Sequence, residues 1–195
     1  MALRYIVYSD NPIMRKSSHD VQRITPEIQE LVDDMFETMR ANSGIGLAAI
    51  QVGVPQRVIV IELPVEEEDE EDEADDEETH EEQDAPRPVE TYVVLNPEIA
   101  RKSRNMVDGV EGCLSVQGYV GEVSRHETVT VKGMDMRGKS IRIKADGWLA
   151  RVFQHETDHC DGILFIDRIE DPEKIWPVTP GEEEEAEATQ KVPMS

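Results

Sequence analysis

Aromatic residues are scarce in this chain of 195: three Phe, four Tyr and two Trp, 5 % of the total. With so few rings the core has to come from aliphatic side chains, and the eight methionines read mostly as core filler. Cysteine is scarcer still. Cys113 and Cys160 are the whole complement, which excludes a disulfide framework in a chain this long. One Cys113–Cys160 bridge is the most they could form, and a reducing cytosol is the simpler setting. No apolar run nears the roughly 20 residues that span a membrane, and Met1 to Asp10 holds no apolar stretch long enough for a signal peptide. A cytoplasmic protein with no membrane partner is expected.

Positive charge is also in short supply, with 20 Lys+Arg against 43 Asp+Glu and a net charge of −23. The excess is concentrated. From Glu66 to Asp84, 15 of 19 residues are acidic and none is Lys or Arg, and Glu182 to Glu187 adds five more acids. Without those two runs the chain is nearly neutral. Blocks of like charge with almost no apolar residues cannot collapse. The expectation is therefore one domain over 1–180, interrupted by a disordered acidic insertion at 66–85 and followed by a disordered acidic tail at 181–195. An acidic tail is repelled by phosphates, so no direct nucleic-acid binding is expected.

Within the domain, Thr25-Pro26 reads as an N-cap followed by proline at the first helical position. Ile28, Leu31, Val32, Met35, Phe36 and Met39 then recur at helical spacing to about Ala41. Arg57 to Leu63 and Tyr92 to Leu95 read as strands, and they can pair with the acidic run as an oversized hairpin loop. Thr128 to Val131 and Ser140 to Ile143 are alternating strands about Met136-Arg137-Gly138-Lys139. Ile163 to Ile166 reads as a short apolar strand. From Pro172 the prolines and glutamates predict a frayed tail.

The chemistry centres on Gln154-His155-Glu156-Thr157-Asp158-His159, preceded by a helix-like run from Gly147 and followed by Gly162, suited to a left-handed helix end. Positions four apart share a helix face, so His155 and His159 can hold one divalent metal, with Glu156 placed to act on its water. A catalytic site needs a third protein ligand and an open position. Cys113, flanked by Gly112, is the best candidate. Cys160 reads as packing, His19, His80 and His126 as surface residues, and Trp148 and Trp176 as packing.

Three segments, Gly44-Ile45-Gly46-Leu47-Ala48-Ala49-Ile50-Gln51, Glu111-Gly112-Cys113-Leu114-Ser115 and the histidine motif, resemble in order and spacing the signature motifs of peptide deformylase. The likeness extends to Tyr8–Arg15 and Arg125–Gly138. It implies an α+β fold, with small antiparallel β-sheets around a central metal-binding α-helix, and a bacterial-type hydrolase. The implied reaction removes the N-terminal formyl group from formyl-methionyl nascent polypeptides. Cys113, His155 and His159 would be the ligands of one Fe²⁺, with Zn²⁺, Ni²⁺ or Co²⁺ as alternatives. Glu156 would be general base and then acid, as metal-bound hydroxide attacks the formyl carbonyl, while the Gln51 amide and the Leu114 backbone N–H hold the oxyanion. Backbone groups of Ile45, Gly46 and Gly112 would take the peptide as an added strand, and a pocket near Glu111 and Val152 would take its methionine. Transient proximity to the ribosome follows from the substrate, although the acidic residues Glu182 to Glu187 are not expected to dock as the basic C-terminal helix of some relatives does. Ile50 and Gln117 depart from the usual residues in those motifs, which concerns loop geometry and no reacting group.

Two other readings share some of these features. A zinc peptidase uses the same H-E-x-x-H but takes a third His or Glu downstream, where this chain has only acids without helical spacing. An acidic interaction module would owe its role to Glu66–Asp84, but it needs none of the catalytic groups that are present.

Overall fold

A computed structural model describes residues 2–65 and 88–178. The expectations for 66–85, 181–195 and His80 lie outside these residues. Among them are two α-helices and eight strands: α1 (Pro26–Ala41), β1 (Gly46–Ala48), β2 (Val58–Pro64), β3 (Val89–Lys102), β4 (Met106–Glu111), β5 (Tyr119–His126), β6 (Thr128–Met134), β7 (Ser140–Asp146), α2 (Gly147–Cys160) and β8 (Ile175–Pro177). One sheet runs β1-β2-β3-β6-β7 and the other β4-β5-β8, every pair antiparallel. The fold is α+β, as the motifs imply.

Alternation along β2 explains how the larger sheet is covered. Val58 and Val60 face one way, into a cluster with Leu31, Met35 and Met39 of α1. Ile59 and Ile61 face the other way, into a cluster with Ala150, Val152 and Phe153 of α2. A strand buried on both faces is nearly continuous in apolar residues, and β2 is. Helix α1 therefore packs on the outside of the sheet, while α2 lies between the two sheets and is buried along most of its length.

The β2–β3 hairpin is the one expected across the acidic run, with Pro64 opposite Val89 and the Val65 N–H donating to the Pro88 carbonyl at 2.8 Å. Thr25 occupies the N-cap of α1 with Pro26 behind it, but its hydroxyl makes no capping bond. Two local expectations are corrected. Phe165–Arg168 is a 3-10 turn rather than part of a strand: the Asp167 carboxylate accepts from the Leu164 N–H at 2.8 Å, closing a local turn that competes with an extended run. The segment after Pro172 is not frayed up to Val178, because Ile175–Pro177 pairs with Tyr119–Gly121 as the edge of the smaller sheet. Both cysteines are free thiols, Cys160 fully buried, so there is no bridge.

Candidate metal centre

Helix α2 presents the histidine motif, and its C-terminal end is turned by Gly162 in the left-handed conformation at φ 77°. A side chain there would also collide with the Arg15 backbone at 2.8 Å, so both conformation and space require glycine. Cys113 comes from the loop that leaves β4. Its Sγ lies 3.3 Å from His159 Nε2, and His159 Nε2 lies 3.2 Å from His155 Nε2. The sulfur and one nitrogen from each ring fall within 4.8 Å of one another.

His155 Nδ1 donates to Glu111 Oε2 at 2.9 Å, which leaves its Nε2 as a lone pair. Cys113 Sγ, His159 Nε2 and His155 Nε2 thus face one another at 3.2–3.3 Å, closer than three lone-pair groups sit without a proton or a cation among them. A cation between them resolves this, and one thiolate with two imidazoles is a set that divalent transition metals accept. The residues fit a metal.

Electrostatics separates the two imidazoles. Burial, with the charges of His155 and Arg125 added, holds His159 well below the usual histidine range, as a ligand requires. For His155 burial opposes the charge, but the Cys113 sulfur and the Glu111 carboxylate outweigh it and raise the pKa. A cation shared by the three donors takes the place of that proton.

Glu156 points into the same cavity as Cys113 and His155 and is 3 % exposed. Its Oε2 has no hydrogen-bond partner among the described residues. Burial, helped by the Glu111 charge and opposed by His155 and Arg125, pushes its pKa up to about 7. A carboxyl in that range can take and return a proton near neutral pH.

Gln51 is oriented from behind. Its Oε1 accepts from the Ala48 N–H at 2.8 Å, so the amide nitrogen faces Cys113 Sγ at 3.5 Å and Ser115 Oγ at 3.3 Å. The cavity is lined by Ile45, Gly46, Glu111, Gly112, Cys113, Leu114, Val152, His155 and Glu156. Gln51 and His159 sit behind it, so the eleven residues expected at the site converge on one place. Ile45 spends its carbonyl on the Glu62 N–H at 2.9 Å, which leaves Gly46 to face the open edge of β1. Trp148, expected as packing, lines the cavity too.

Sequence reasoning placed Glu111 in a side-chain pocket and missed its larger part. The carboxylate accepts from His155, from Arg125 Nε and Nη2 at 2.8 Å each, and from Arg151 Nη1 at 2.8 Å. Burial alone would neutralise it, yet Arg125 and His155 hold its pKa well below the usual range. Arg125 also donates to Asp158 at 2.5 Å, which is bound by Arg168 as well. The signal was available in β5, where alternation puts Arg125 on the inward face with Gly121 and Val123. An arginine at such a position needs a buried anion.

A helix carrying two histidines and a buried glutamate, completed by a cysteine from another segment, is an arrangement suited to a metal-dependent hydrolase. Residues 3–175 match the family model for polypeptide deformylase. A peptide deformylase of Thermomicrobium roseum is 42 % identical over 191 residues, covering 96 % of this chain and 98 % of that one. The crystal structure of peptide deformylase from Ehrlichia chaffeensis superposes with a TM-score of 0.72 at 34 % identity over 100 % of both chains. A Met-Ala-Ser-bound class I type b peptide deformylase from Acinetobacter baumannii does so at 0.72 and 32 % identity, over 86 % of this chain and 99 % of that one. The chain belongs to the peptide deformylase family. It is an enzyme of N-terminal formyl removal, and no helix among its described residues is long and apolar enough to cross a membrane.

Proposed function

We propose that this enzyme deformylates N-formylmethionyl polypeptides soon after they emerge from the ribosome in a bacterial-type cytoplasm, with Fe²⁺ as its resident metal and Zn²⁺, Ni²⁺ or Co²⁺ as substitutes. Residues 1–180 act as one catalytic unit, with the acidic insertion at 66–85 and the acidic tail at 181–195 as appendages. Cys113, His155 and His159 would hold the divalent cation, which would supply Lewis acidity toward the formyl carbonyl and the attacking water.

Glu156 takes the proton from the attacking water and hands it to the departing amine, a double duty suited to a carboxyl whose pKa is about 7. Gln51 turns its amide nitrogen toward the reacting centre because Ala48 holds the oxygen end. With the Leu114 N–H, it donates to the oxyanion as charge develops. The open edge of β1 at Gly46 and the backbone at Gly112 receive the peptide as an added strand. Its methionine side chain enters the cavity beside Val152, Glu111 and Trp148.

The observation that carries this reading is the Glu156 carboxylate, buried and with one oxygen unpartnered, beside three convergent metal donors. The test is anaerobic formate release from N-formyl-Met-Ala-Ser by the iron-loaded protein, run beside Glu156→Ala. Turnover by the wild type and its loss in the variant, with iron still bound, are expected. A fully loaded wild type without turnover would sink the reading.

A further inference from the structure

Glycine at position 46 has no conformational explanation. It is the first residue of β1, directly opposite Ile61 of β2, and it is not among the glycines with positive φ. A glycine paired in a strand offers no side chain to pack, and marks a place where another group comes close. Here the close group is Glu156. A Cβ on residue 46 would lie 2.5 Å from Glu156 Oε1, 3.0 Å from its Cδ and 3.1 Å from its Cγ.

We infer that Gly46 is a positioning residue for the base: the missing side chain leaves the hollow that seats the Glu156 carboxylate. This rests on the deformylase reading and adds to it, because the role is separate from any backbone contact that Gly46 makes with a peptide. Packing matters here because Glu156 Oε2 has no hydrogen-bond partner among the described residues to set the carboxylate's place. The colliding atoms are the far end of a side chain rather than backbone, so an added methyl displaces the carboxylate and leaves the strand intact. Position 46 thereby couples the strand edge that meets the substrate to the group that moves its proton.

The experiment uses the iron-loaded full chain. Gly46→Ala keeps every backbone donor and acceptor. We expect KM for N-formyl-Met-Ala-Ser within about twofold of wild type and kcat down about 100-fold, the usual consequence of a misplacement near 1 Å. Metal content and melting temperature should not fall. The same substitution made in a Glu156→Asp background, where the shorter side chain vacates the hollow, should cost less than about threefold in kcat. A crystal structure of Gly46→Ala should show the carboxylate moved by about 1 Å, the distance needed to restore van der Waals contact.

An unchanged kcat, a loss confined to KM or to metal content, an equal penalty in both backgrounds, or an unmoved carboxylate would each overturn the inference. A wild type without turnover defeats the deformylase reading instead, and the crystallographic displacement alone then decides the positioning role.

Discussion

The two sides of the metal centre are built in opposite ways. On the Glu111 side every ionised group is tied. His155 donates to Glu111, which is clasped by Arg125 and Arg151, and Arg125 continues to Asp158 and Arg168. On the Glu156 side the groups are buried but left open: Glu156 Oε2 and His159 Nδ1 have no partner among the described residues. Glu111 and Glu156 are both 3 % exposed, so burial alone does not separate the two sides. His155 is fixed by a charge-assisted hydrogen bond, whereas His159 is held by burial, its Nδ1 unpartnered among the described residues. A group that exchanges a proton with substrate keeps an oxygen unbound.

The sharpest way to break this comparison is to disable the open side. Glu156→Gln keeps the volume and removes the base. Turnover of N-formyl-Met-Ala-Ser should fall about 10²- to 10⁴-fold, read as formate release, while urea unfolding changes little. Next comes the tied side. Glu111→Gln leaves Arg125 and Arg151 facing one another without their common anion, and removing one partner from such a buried pair costs about 3–5 kcal/mol. Chemical denaturation should show that loss.

The outer end of the same network should matter less. Arg168 is 44 % exposed at its side chain, and Asp158 keeps Arg125 when it is gone. Arg168→Ala is expected to cost about 0.5–1 kcal/mol with turnover retained. The smallest effect tests burial against reactivity. Cys160 is fully buried, and burial pushes its thiol up to about 12. Thiol titration of the native apo protein should count one reactive cysteine, Cys113, and denaturation should reveal the second.

The histidine pair of the candidate centre was readable because four-residue spacing on a helix is a local geometric fact, whereas Cys113 comes from 46 residues away and was reached through its motif. The α1 helix and the β2–β3 hairpin were readable for the same reason: periodicity and a polar interruption are visible within one segment. What escaped depends on contacts far apart in the chain. Glu111 and Arg151 are 40 residues apart, and nothing local marks an arginine on α2 as the partner of a glutamate in β4. The strand at Ile175–Pro177 exists because β5 offers an edge, and its own residues, Ile-Trp-Pro, carry no alternation long enough to read. Ile163 to Ile166 reads as extended because a four-residue apolar run is ambiguous until a side chain such as Asp167 closes a turn on it. Gly46 was seen as a backbone position, and only the placement of Glu156 shows why it lacks a side chain.

The most direct test of the division between the two sides is metal affinity, measured by chelator competition on folded Glu111→Gln and Glu156→Gln side by side. Glu111→Gln should weaken binding about 10- to 100-fold, as losing the partner of a ligating histidine does. Glu156→Gln should stay within about threefold of wild type, since Glu156 holds neither the metal nor its ligands. Equal losses in the two variants, or the larger loss in Glu156→Gln, would contradict the account.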